Sequence, residues 1–217
     1  LTWTFHLRDG VLFHDGTPCN AEAVRTSLER LIQPEHSLAY DKARPYQASY
    51  NMLAAVEAPD ERTVVLKLHH PSAILLANLA MFPASIVSPT AVTKLGKQFA
   101  TQPVGTGPFK FGRWKRDQQI VLEANPDYKG ADKPYFKRII AKPITEPKTA
   151  VIAFLARELG FTEIEPTALP QVEADAESKT IKLDGIDYTW IGINMEKPPL
   201  DNVKVRCGLL LFKTQWH

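Results

Sequence analysis

Apolar and polar positions alternate from the first residue. Leu1, Trp3, Phe5 and Leu7 fall on one face and Thr2, Thr4, His6 and Arg8 on the other, which predicts a half-buried strand. Asp9-Gly10 and Asp15-Gly16 mark tight turns in which glycine supplies a positive φ. Val24, Leu28, Leu31 and Ile32 then recur at helical spacing behind Asn20, a capping residue, with Glu22 in the first turn; Pro34 ends this helix. Residues 34–50 are polar and turn-rich and carry Tyr40, Tyr46 and Tyr50. Met52 to Val56 has helix-like spacing, and Thr63 to His69 alternates as a strand. Ser72 is placed to cap a short apolar helix through Met81, and Ser88-Pro89 opens another that stops at Gly96.

The second half repeats this mixture. Phe109 to Trp114 and Ile120 to Ala124 form a hairpin around a charged turn at Arg116-Asp117, opened by Pro103-Val104-Gly105-Thr106-Gly107-Pro108 and closed by Asn125-Pro126-Asp127-Tyr128. Tyr135 to Ile144 reads as a strand. A helix from Pro147 to Leu159 follows, with proline at its first position and Gly160 just beyond its end. Phe161 to Ile164, Ile181 to Leu183 and Tyr188 to Asn194 read as further strands, with a loosely helical acidic stretch from Pro166 to Ala176. Asp201 is placed to cap a last helix carrying Val205, Leu209 and Phe212. Strands and helices alternate throughout, so the expected class is α/β or α+β.

Composition narrows the function more than the fold. Hydrophobic residues make up 44% and charged residues 23% of 217, ordinary for a globular chain. A net charge of +2 gives no electrostatic case for nucleic acid or an anionic membrane. Arg113, Lys115 and Arg116 beside Trp114 make a basic cluster, but Asp117 and Glu123 interrupt it, and a solvated hairpin is the better reading. Cys19 and Cys207 fit no metal spacing and read as two separate thiols rather than a disulfide. His6, His14 and Asp15, with His69-His70, raise a metal site, yet no His-x-x-x-His or Cys-x-x-Cys spacing holds them together; solvated or hydrogen-bonded histidines are expected. No Gly-x-Ser-x-Gly elbow or defensible carboxylate pair is present, so the expectation is a non-enzyme. The Gly-x-Gly turn is not a phosphate loop, since no helix and no Gly-Lys-Ser/Thr follows it.

Taken as a whole string, the run PVGTGPFKFGRWKRDQQIVLEANPDYKGADKP closely resembles the signature of the peptide/nickel class of bacterial ABC-transporter solute-binding proteins, solute-binding family 5. TWTFHLRDGVLFHDGTPCNAEAV resembles the family's strand–turn–helix upstream of it, and IGINMEKPPLDNVKVR its strand–loop–helix downstream. The resemblance implies a type II periplasmic-binding-protein architecture, a two-lobed clamshell, of which this chain would be an internal fragment covering most of the first lobe. Residues 1–102 would form the smaller subdomain of that lobe, 103–187 part of its main sheet domain, and 188–217 the hinge crossing and the start of the second lobe. The run from Cys207 to Phe212 departs from the family's Gln-Ala-Leu pattern and looks like a reading-frame slip or an artificial end.

The same resemblance implies a monomeric extracytoplasmic receptor, periplasmic or a cell-surface lipoprotein. It would take a peptide or other small solute, with no cofactor required, and deliver it to an inner-membrane permease. Its ligand candidates are Tyr40, after the first helix; Ser85, in the Pro83-Ala84-Ser85 turn; Gly105, Thr106 and Gly107; and Trp190 to Asn194 near the hinge. For Tyr40 and Trp190, ordinary aromatic packing stays equally open. For the glycines, a structural turn is preferred. Nickel-chelate binders of the family tend to carry arginine near the position of Ser85, and serine there favours peptides. A nickel chelate or another small solute on the same architecture, a non-functional receptor fragment and, less favoured, a hydrolase on an unrelated fold stay open as alternatives.

Overall fold

Hydrophobic alternation and helical spacing produce two three-stranded antiparallel sheets and six short α-helices among the described residues. The computed structural model of the chain describes residues 1–33, 36, 38, 46–183 and 192–213. They form two compact units, 1–145 and 146–217.

In the first unit, β1 (Thr2–His6), β2 (Leu53–Glu57) and β3 (Thr63–Leu68) make a sheet in the order β1-β3-β2. Helix α1 (Ala21–Ile32) lies over it, and its Val24, Leu28 and Leu31 meet Val56, Val64 and Leu66 in one buried cluster. Burying each such side chain contributes roughly 1.5–3 kcal/mol. Asn20 caps α1 by accepting from the Ala23 amide at 3.0 Å. Tyr50 is fully buried at the cluster's edge and donates its hydroxyl to the Asn78 carbonyl at 2.9 Å. The alternation of β1 is real but its burial is partial: Phe5 and Leu7 pack on the core, whereas Leu1 and Trp3 are exposed, as befits an edge strand.

Met52 to Val56, expected to be helical, is the strand β2. The reason is a bulge: Leu53 pairs with Leu68 and Ala55 with Lys67, so Ala54 is an extra residue. It turns Leu53 and Val56, three apart, to the same face, a spacing that imitates a helix. Ser72 does not cap the next helix. Helix α2 (Leu75–Leu79) begins after Ile74 with no side-chain cap. Helix α3 (Pro89–Leu95) is bounded as its sequence implies, by a Ser88 cap that accepts from the Ala91 amide and by Gly96 at φ 52°.

The second sheet joins β4 (Phe109–Lys115), β5 (Gln119–Ala124) and β6 (Arg138–Ala141) in sequence order. Asp117 turns the hairpin at φ 58°. Gly112 is the extra residue of a bulge, and a Cβ there would sit 3.0 Å from the Val121 carbonyl oxygen. The predicted strand Tyr135 to Ile144 is confined to the four residues of β6 that pair with β5.

In the second unit, α4 (Pro147–Leu155) is capped by Glu146 and ends before the predicted Leu159, because Arg157 takes φ 65°. Its guanidinium ion-pairs with Asp175 at 2.9 Å and Glu177 at 3.0 Å. Helix α5 (Leu169–Glu173) realises the acidic helical stretch. Phe161 to Ile164 and Ile181 to Leu183 are not strands: they have no ladder partner among the described residues, and Phe161, Ile181 and Leu183 are exposed. Of the Tyr188 to Asn194 strand, residues 188–191 lie outside the described residues, and 192–194 are irregular. Helix α6 (Val203–Lys213) is entered through Asn202, not Asp201: the Asn202 side chain accepts from the Lys204 amide at 2.9 Å.

Candidate ligand-binding site

Two turns that are remote in sequence make one joint. Residues 13–17 form a tight turn closed by the Phe13 amide on the Thr17 carbonyl, with Gly16 at φ 83°. The Gly105–Gly107 loop lies against it. The His14 amide donates to the Gly105 carbonyl at 2.8 Å, and the His14 ring contacts both glycines. A carbonyl can only accept, so Nε2, 2.9 Å from the Gly107 oxygen, carries the proton. Nδ1 is then the acceptor for the Gly105 amide at 3.4 Å.

From the other side Asn125, which is buried, donates its side-chain amide to the same Gly107 carbonyl at 3.1 Å, and its backbone amide to Pro108 at 2.8 Å. The Ser88 amide takes the Val104 carbonyl at 3.1 Å. The hydroxyl of Ser88, fully buried, donates to Asp15 Oδ2 at 2.5 Å. Burial opposes ionisation of the Asp15 carboxyl, yet hydrogen bonds from Ser88 and Thr17 outweigh it and hold the group below its ordinary value.

The loop's carbonyls at Val104, Gly105, Gly107 and Pro108 are therefore all occupied within the protein. Thr106 is different. Among the described residues nothing bonds its amide, carbonyl or hydroxyl. Neither flanking glycine has a positive φ. A Cβ on Gly107 would meet nothing within 4 Å, and one on Gly105 only the Ile86 carbonyl at 3.9 Å. A Cβ at either glycine would therefore be accommodated by the backbone conformation and packing of this unit.

Of the other sequence candidates, Ser85 and Asn194 are among the described residues. Ser85 is exposed and uses its hydroxyl to cap its own turn, donating to the Phe82 carbonyl at 2.7 Å. Asn194 belongs to the second unit and accepts from the Glu196 amide at 3.0 Å. Tyr40 and Trp190 lie outside the described residues. Among the described residues no three His, Cys, Asp or Glu side chains gather for a metal, and His14 is engaged by hydrogen bonds as described. Both cysteines are free thiols; burial raises the Cys19 thiol above its ordinary value. The residues that sequence reasoning missed are Ser88, Asp15 and Asn125, which hold the loop. Their only signal was that each sits in a turn or cap, where a polar side chain is expected in any case.

Over nearly its whole length the chain is similar to known proteins. The family model of the bacterial extracellular solute-binding proteins, family 5 Middle, matches residues 1–211. The glutathione-binding protein GsiB of Pectobacterium atrosepticum is 32% identical over 210 residues, 96% of this chain and 40% of that protein. Among solved structures, the ABC transporter-associated periplasmic binding protein DppA from Helicobacter pylori, in complex with the peptide STSA, aligns with a TM-score of 0.72 at 31% identity. That match covers 81% of this chain and 38% of DppA. MoaA from A. tumefacien R10, in complex with mannopinic acid, aligns at 0.84 with 28% identity over 96% of this chain and 42% of its own. The chain thus spans about two fifths of the length of the relatives it matches. Its fold is that of part of a type II periplasmic binding protein, and the chain belongs to the bacterial extracellular solute-binding proteins of family 5.

Proposed function

We propose that the whole protein is an extracytoplasmic receptor of an ABC importer that captures di- or oligopeptides and delivers them to a membrane permease. This chain supplies most of its first lobe: a smaller subdomain at 1–102, part of the main sheet domain at 103–187, and the hinge crossing from 188. The observation that carries the reading is the Gly105–Gly107 loop. Every neighbouring carbonyl is tied down, while Thr106 and the open side of Gly107 are left for an incoming group. Such a rigid loop with unused backbone groups suits main-chain recognition of an extended peptide, which tolerates many side chains. Family membership and the relatives' glutathione and STSA ligands support the peptide class.

No covalent step is required of any residue. Binding is completed when the second lobe closes on the solute, so the 217 residues alone hold peptide weakly or not at all. MoaA's mannopinic acid favours one other reading, a small non-peptide acid on the same architecture. Mass spectrometry of solute released on denaturing the protein purified from its own cell separates the two. Short peptides support the proposal; a single sugar-derived acid, or nothing, overturns it.

A further inference from the structure

A cavity of about 280 Å³ opens beside the Gly105–Gly107 loop, wholly within residues 1–145. Its apolar wall is Leu7, Val11 and the half-buried Cys19. Thr106 and Gly107 form one side, and Tyr128 with Gly130 another. Gly130 has a reason to be glycine: a Cβ there would lie about 2.2 Å from the Tyr128 ring, so the ring packs directly on this residue. Two cations, Arg8 and Lys129, complete the lining.

Their charge is uncompensated. Asp9 and Asp127, the acids nearest to them in sequence, are taken by Arg62 at 2.8 Å and Lys110 at 3.6 Å. Among the described residues neither Arg8 nor Lys129 has any hydrogen bond or ion pair from its side chain. A concave apolar wall facing two unpaired cations and an unused hydroxyl is complementary to one kind of molecule. The cations call for an oxyanion, the wall for a short hydrocarbon body, and the volume, just below the roughly 300–1,000 Å³ of drug-sized sites, for something small.

We propose that this cavity is a binding site for a small aliphatic carboxylate, its carboxylate held by Arg8 and Lys129 with Thr106, and its chain laid against Leu7, Val11 and Cys19. The site does not depend on the peptide reading, since no residue outside the first unit contributes to it. A ligand here also presses on the loop that His14 and Asn125 hold, and so reports on it.

The test uses the whole chain with Cys207→Ser, leaving Cys19 as the single thiol. The rate of its alkylation by iodoacetamide, a neutral reagent, is measured with and without sodium butyrate against sodium chloride of equal ionic strength. Saturable protection is expected, about fourfold at three times the half-saturating concentration. The Thr106 and Gly107 amide resonances should shift along the same curve. Protection should be lost in Arg8→Gln/Lys129→Gln, and also in each single variant to a lesser degree, with the far-UV spectrum retained. No saturable protection, or protection that survives both replacements, overturns the site. Inorganic phosphate protecting as well as butyrate overturns the carboxylate assignment, because the apolar wall would then contribute nothing.

Discussion

The His14 ring and the Gly107 carbonyl, 93 positions apart, are joined by a 2.9 Å hydrogen bond, and Asn125 donates to the same oxygen at 3.1 Å. The carbonyl has two lone pairs and both are used. His14→Ala and Asn125→Ala each leave one donor in place on this oxygen, but each also removes a second bond, from the Gly105 amide and from the Asp127 amide respectively, so each should cost about 1–3 kcal/mol in urea denaturation. The double variant orphans the carbonyl. It should cost more than the sum of the singles, by roughly 0.5–1 kcal/mol.

Ser88 serves two ends at once, capping α3 and donating to Asp15. Ser88→Ala should destabilise by about 1–3 kcal/mol, combining a lost cap with a lost bond to a carboxylate.

The same pair sets a pH dependence. The Asp15 carboxyl is held below its ordinary 3.8, so its contribution to stability is present above about pH 4 and lost as pH falls through the lowered value. Glu22, Asp60, Glu146 and Asp175 are depressed in the same sense, so the acid limb as a whole is composite. The reading is therefore a difference: Asp15→Asn should lower stability near neutral pH and close the gap to the unmodified chain as pH drops below 4.

Glycines in the two joined turns should respond oppositely. Gly16 at φ 83° cannot accept a Cβ without strain, and Gly16→Ala should lower stability by roughly 1–2 kcal/mol. Gly107→Ala meets no neighbour and should change stability by less than about 1 kcal/mol in either direction. If the loop serves binding, the Gly107 variant should instead weaken peptide capture by the whole protein.

Gly130→Ala tests the packing of Tyr128. The added methyl displaces the ring from the lining of the cavity it shares with Cys19, so alkylation of Cys19 should quicken while the sheet is unaffected. An unchanged rate would show that the ring is not held there.

Much of the architecture was legible because it is written locally. Asn20 and Ser88 announce their helices through short-range caps, Gly10 and Gly16 their turns through φ, and the hairpin from Phe109 to Ala124 through alternation. The failures are equally physical. The bulge at Ala54 disguised a strand as a helix, because strand pairing, invisible locally, decides which residues share a face. Ile181 to Leu183 alternates and Phe161 to Ile164 is bounded by apolar residues, but neither finds a ladder partner among the described residues. At the candidate site the loop itself was legible from its glycines. Its dependence on His14, Ser88 and Asn125 was not, since bonds spanning up to 93 positions leave no periodic trace.

The most direct measurement is a calorimetric titration of the protein purified from its own cell with a series of di- to pentapeptides. The receptor reading predicts saturable binding with dissociation constants of about a micromolar or below for at least one peptide length, on the order of −8 kcal/mol. No heat of binding from any peptide at millimolar concentration would contradict it.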